Sequence, residues 1–189
     1  MRDEILRAAE ARIRRAGFYG FSFRDLADDV GIKSASVHYY FPTKADLGVR
    51  LMRNYQEQML AAFGDAEDDR TLADKLGAVR DAYRKRLSKA GICLCGILAA
   101  EHAGLPEPVG EALKGYFVAC RNWLISAFAG SGAGEPEKRA LVFSSAVQGG
   151  LLMSHAMGDQ ALFNRVAEEA IRAQEQSGVR RRSTKGQRG

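Results

Sequence analysis

Residues 22–47 read SFRDLADDVGIKSASVHYYFPTKADL, and this stretch gathers the side chains best suited to chemistry. Lys33, Ser34, Ala35, Ser36, His38, Tyr39, Tyr40, Thr43 and Lys44 supply hydroxyls, small surfaces, rings with polar tips and two ammonium groups. No nucleophile–base pairing, phosphate loop or metal spacing accompanies them, so the chemistry on offer is recognition, not bond-making. Ser34 and Ser36 can donate or accept at base edges, and Ala35 is short enough to touch a thymine methyl. His38, Tyr39 and Tyr40 suit phosphates or bases. Lys33 and Lys44 flank the run as phosphate clamps, and Ser22 and Arg24 extend the contact set upstream. Thr43 and the amides after Pro42 offer a second anion site at a helix N-terminus.

These residues need rigid elements beneath them. Ser22 with Asp25 three positions later predicts a helix start. Phe23, Leu26, Ala27 and Val30 then fall on one face, with Arg24, Asp25, Asp28 and Asp29 on the other. Gly31 stands where a left-handed C-cap is wanted. A second helix is expected from about Ser34 to Tyr40, with Ile32, Val37 and Phe41 turned inward. Pro42 stops it, and Thr43 with Asp46 caps the next. Two short helices across a tight turn form a helix-turn-helix, which lays its second helix in the major groove of DNA. Phosphate contacts there set register and base contacts set sequence.

Residues 4 to 50 resemble the DNA-binding domain of the TetR/AcrR family of bacterial repressors. The likeness rests on the first-helix ending AGFYGFSF, the helix DLADDVGI, the Tyr40–Phe41 pair and the PTKADL opening of the fourth helix. Two groove-side positions depart from the family pattern: Lys33 precedes Ser34 where serine then lysine is usual, and His38 stands where tyrosine is usual. The resemblance implies an all-α fold of about nine helices, a symmetric dimer, a pseudo-palindromic operator and release by a small molecule that enters the helical body.

Composition bounds the remainder. The 189 residues suffice for one good core or two small ones. Residues 1–53 carry 10 Lys+Arg against 7 Asp+Glu, and residues 178–189 carry 5 basic residues and no acid. The segment between is acidic, so the body suits something other than nucleic acid. No 18-residue apolar run is evident, which predicts no membrane span. The N-terminus opens into a charged helical pattern unlike a secretory signal. Three cysteines, an odd number, argue against a disulfide framework and for a reducing cytoplasm.

Three regions are expected: a helix-turn-helix domain over 1–46, a helical ligand-binding and dimerisation domain over 47–177, and a basic disordered tail over 178–189. Helices are predicted over about 43–63, 72–87, 92–100, 106–129, 137–157 and 160–176. The last two carry small residues, among them Ala140, Ser144, Gly149 and Gly150, that would let them dock on a symmetry mate or on each other. Dimerisation would hold two reading helices one DNA turn apart, about 34 Å.

Candidate effector-lining residues are Tyr83, Ile97, Glu101, His102, Phe117, Cys120, Trp123, Leu124 and Gln148, with core packing as the alternative for each apolar one. Cys93, Cys95 and Cys120 read as inert buried thiols or as electrophile and oxidant sensors. Their spacing with His102 matches no common zinc pattern. No metal, cofactor or catalytic residue is expected. An enzyme using the body cavity is the alternative from another class, and a nucleoid-type DNA binder without a ligand is the third.

Overall fold

The computed structural model describes residues 1–90, 93–132 and 134–185. Regular structure among them is helical throughout: α1 (Arg2–Ala16), α2 (Phe23–Val30), α3 (Ser34–Tyr40), α4 (Lys44–Phe63), α5 (Leu72–Ala90), α6 (Leu94–Ala100), a 3-10 turn (His102–Gly104), α7 (Glu107–Gly130), α8 (Pro136–Met157) and α9 (Gln160–Lys185). The chain divides into two compact units, residues 1–58 with 90–117 and residues 59–89 with 118–189. The sequence placed a boundary at residue 46. The contacts instead group most of α4, α6 and the first part of α7 with the helix-turn-helix.

In unit one, α1 buries Ile5, Leu6, Ala9 and Ile13 along one stripe. Ser22 and Asp25 close a capping box at the start of α2, and Gly31 ends it in the left-handed region at φ 73. Helices of eight and seven residues are unstable alone. α2 and α3 therefore depend on Phe23, Leu26, Ala27, Val37 and Phe41, all buried. Roughly 1.5–3 kcal/mol accompanies full burial of a large apolar side chain, so Phe41→Ala or Leu26→Ala would loosen the packing of α2 and α3.

Unit two contains α5, α8, α9 and the neighbouring parts of α4 and α7. Its acidic α4–α5 loop closes around two cations that the sequence reading did not single out. Lys75, 5% exposed, donates to the carbonyls of Ala66 and Asp68 at 2.9 and 2.6 Å. Arg70 donates to those of Phe63 and Asp65. α9 runs on to Lys185, into the segment expected to be disordered. Once a helix is nucleated each added residue gains a hydrogen bond, and arginine is a good helix former. Residues 186–189 of that segment lie outside the described residues.

α8 and α9 are joined by close packing. A Cβ on Gly150 would stand 3.0 Å from Val166, so this small residue serves packing within the chain. Ala140 is likewise fully buried. The outward face of α8 carries larger side chains instead: Leu141, Val142, Leu152, Met153 and Met157 are 51–67% exposed. By length and composition α8 is apolar enough to cross a membrane, which the sequence reading did not recognise, and 33% of its most apolar window is buried.

Candidate nucleic-acid interface

α3 commits one side chain, Val37, to the core. Lys33, Ala35, His38 and Tyr39 are exposed, and Ser34, Ser36 and Tyr40 are half-buried. Tyr39 is 83% exposed and meets Tyr40 edge to face at 5.3 Å. His38 sits edge-on against Phe23 of α2 at 4.8 Å, which fixes its ring. A shallow groove along this face is bordered by Ile32, Lys33, Ala35, Ser36, Tyr39 and Tyr40. Lys33 is the N-cap, in extended geometry and without a side-chain cap bond. The Lys33–Ser34 order makes Ser34 the first helical residue, and the exposed Lys33 borders the groove.

Three of the expected contact residues, Ser22, Thr43 and Lys44, hold hydrogen bonds within the chain. Ser22 Oγ donates to the Asp25 carboxylate at 2.7 Å and accepts from the Asp25 amide. The Ser22 hydroxyl holds that carboxyl below its ordinary value. Thr43 and Asp46 form a second reciprocal box, with Thr43 N donating to Asp46 at 3.0 Å. The anion site expected at this helix start is thus partly filled by the chain's own carboxylate. Arg24 remains exposed on α2.

The third is Lys44, expected as a phosphate clamp. Its ammonium donates inward to the Phe21 carbonyl. It also lies 3.9 Å from the Phe21 ring centroid and 5.4 Å from that of Phe18. Burial pushes its pKa down, against the opposing pull of Asp25 and Glu101. Lys44 therefore acts in this structure as a strut beneath the α1–α2 corner, and the exposed cation beside the groove is Lys33.

That corner, residues 17–21, is where the sequence reading missed most. Arg12 grips α2 with a bidentate bond to Asp29, at 2.7 and 2.8 Å. Glu101 was expected to line the effector site, but its Oε2 accepts from the Phe18 amide at 2.8 Å. Tyr19 Oη donates to the Gly104 carbonyl at 2.7 Å. Gly48 of α4 lets Phe18 and Val109 approach, since a Cβ there would stand 2.8 and 2.9 Å from them.

The other effector-lining candidates separate by unit. In unit one, Ile97 is half-buried on α6, His102 is exposed, and Phe117 stacks edge-on against Tyr116 at 5.3 Å. In unit two, Gln148 donates to Tyr83 Oη at 3.1 Å. Phe63 lies between Tyr83 and Trp123, at 6.1 and 5.1 Å. Trp123 spends its indole N–H on the Gly64 carbonyl at 2.7 Å. Cys120 and Leu124 are buried on α7.

Cys93 caps α6 from within the core, 3% exposed, with its sulfur 3.7 Å from Tyr55 Oη. A hydrogen bond from Cys95, aided by the Gly96 amide and Tyr55, pushes its thiol down to about 6. Among the described residues no group of three or more metal-ligating side chains comes together.

Known proteins carry the same plan. Residues 5–51 match the model of bacterial regulatory proteins of the tetR family. Residues 70–169 match that of the C-terminal domain of LmrA/YxaF-like transcriptional regulators. A TetR transcriptional regulator from Legionella pneumophila superimposes with a TM-score of 0.84 at 29% identity, over 90% of this chain and 95% of that one. The transcriptional repressor KstR2 of Mycobacterium tuberculosis is 31% identical over 67 residues, 35% of this chain. The repressor BdcR of Escherichia coli is 27% identical over 119 residues, 62% of this chain. These matches span 34% and 60% of the two curated repressors. An N-terminal reading head and an all-helical body, each matched by its own model, assign the chain to the TetR family of bacterial transcriptional regulators.

Proposed function

We propose that this regulator is a homodimeric transcriptional repressor, acting in the cytoplasm without enzymatic activity. It lays α3 of each subunit in successive major grooves of a pseudo-palindromic operator, and a small molecule held by the helical body releases it. The carrying observation is the bare polar face of α3. This seven-residue helix buries only Val37, and Ala35, His38 and Tyr39 beside Lys33 are exposed to a partner. The groove pairs a cation, Lys33, with the exposed hydroxyl of Tyr39, as phosphate and base contacts require.

Dimerisation follows from the apolar outward face of α8. Exposed apolar side chains gathered on one helix mark an interaction surface, and a second copy of the same face is the self-complementary partner of a two-fold dimer. The effector site is assigned to the body around the Tyr83–Gln148 bond, which joins a buried tyrosine beside Phe63 to a half-buried glutamine and suits a largely apolar molecule with one hydrogen-bonding group.

Selection of duplexes from a random pool by the purified chain tests this directly. The enriched sequence is expected to be an inverted repeat, bound about 1,000-fold or more tightly than random DNA in moderate salt. Equal affinity for both would leave only a non-specific DNA binder.

A further inference from the structure

We infer that Glu101 is a positioning residue for operator recognition, and that it sets how strictly the protein discriminates the spacing between two half-sites. The inference rests on the proposed two-headed reading. Glu101 ends α6, and its carboxylate accepts the Phe18 amide in the loop between α1 and α2. Gly17, with φ 77, gives that carboxylate its place, because a Cβ at 17 would overlap it. One residue after Phe18, Tyr19 repeats the attachment by donating to the Gly104 carbonyl of the 3-10 turn. Lys44 holds the next part of the loop through the Phe21 carbonyl, and Glu101 adds a favourable charge to that ammonium.

The loop so held ends at Ser22, where α2 begins, and α3 follows α2 through the Gly31 turn. The angle at which α2 and α3 stand to the rest of unit one is therefore set in part at residues 17–21. Two of the three attachments there come from the segment Glu101–Gly104, far along the sequence. Phe18 and Phe21 bury their rings, while Tyr19 and Gly20 are exposed, and without its polar attachments a connecting loop of this kind is among the more mobile parts of a domain. Held at one angle, the head meets a second half-site only at the matching spacing. Released, it can pivot to reach half-sites that lie one or two base pairs nearer or farther.

The test uses duplexes carrying the half-site that the wild-type protein selects from a random pool, in pairs at the optimal spacing and at spacings shifted by one and two base pairs. A duplex with a single half-site completes the set. Wild type is expected to prefer the optimal spacing. Glu101→Ala should lower the ratio of optimal to two-base-pair-shifted affinity by about threefold or more, while single half-site affinity stays within about twofold. Glu101→Gln, which keeps an acceptor for the Phe18 amide, should restore most of the ratio. Tyr19→Phe, altered at an exposed side chain, should move it in the same direction by less.

Hydrogen exchange at the Phe18 amide should quicken in Glu101→Ala and not in Glu101→Gln. A folded Glu101→Ala protein with an unchanged spacing ratio overturns the inference. If that variant shows no cooperative melt, an unchanged ratio in Tyr19→Phe overturns it equally. Wild type that shows no preference for paired half-sites would instead remove the two-headed reading, and this inference with it.

Discussion

α3 and α8 each leave a face bare, and the two faces have opposite chemistry. On α3 the outward residues are Lys33, Ala35, His38 and Tyr39, whose polar groups can exchange water for phosphate oxygens and base edges. On α8 they are Leu141, Val142, Leu152, Met153 and Met157, which gain only by leaving water. The first surface works through charge and geometry and weakens with salt. The second works through area and depends on protein concentration. On the proposed function one face meets DNA and the other a copy of the chain, and each should fail in its own recognisable way.

The largest effect is expected on α8. Leu152→Asp, on a side chain 60% exposed in the single chain, should convert the dimer to monomer by sedimentation. Two-headed binding exceeds one-headed binding by about 100-fold or more, so operator affinity should fall by about that much while the helical signal stays. A variant that remains dimeric would move the interface off this face.

On α3, Tyr39→Ala should weaken operator binding about tenfold, within the range of one good base contact. Lys33→Ala should weaken all sequences and reduce the salt slope by about one ion. If Lys33→Ala left the slope unchanged, the contrast between the two faces would lose its electrostatic half.

What the sequence made legible divides along the same line. Local signals placed the elements: Ser22 with Asp25, Gly31, Pro42, and Thr43 with Asp46 mark helix ends by chemistry that acts over three or four residues. The stripe Leu47, Leu51, Tyr55, Met59, Phe63 marked α4, and all five are buried. α3 stood apart in the sequence because it lacks such a stripe, and it buries Val37 alone.

Long-range pairings were not legible. Nothing in the neighbourhood of Glu101 points to a backbone amide 83 residues earlier, and nothing near Lys44 says that its ammonium turns inward to Phe21. Small residues on α8 suggested a dimer seam, but periodicity cannot say which partner a close approach serves. Gly150 meets Val166 of the same chain.

Lys44 sharpens the comparison from inside the head. A cation that supports the fold and a cation that grips DNA give different signatures when removed. Lys44→Ala forfeits a hydrogen bond to Phe21 and a cation–π contact, together about 1–2 kcal/mol of stability. Its salt slope on operator DNA should match wild type, whereas that of Lys33→Ala should not. A slope lowered by one ion with unchanged melting would return Lys44 to the phosphate backbone.

The smallest effect on operator affinity is expected at Cys93, which lies in unit one and on neither bare face. Cys93→Ser should leave binding unchanged in reducing buffer, since the thiol is buried beside Tyr55. Its effect should appear as a pH dependence of stability. The thiol ordinarily titrates near 9.0, and in the fold it is pushed down to about 6, chiefly by the Cys95 hydrogen bond. A depressed acid pKa means that the unfolded chain binds more protons across the interval between the two values. The contribution is therefore complete above pH 9, grows as pH rises from 6 to 9, and is lost as pH falls through 6. Denaturant melts of wild type and Cys93→Ser should diverge over that interval in favour of wild type, with absorbance near 240 nm reporting the thiolate. Parallel curves from pH 6 to 9 would mean that the buried sulfur stays protonated, a packed hydrophobe with no electrostatic part in holding α6 to α4.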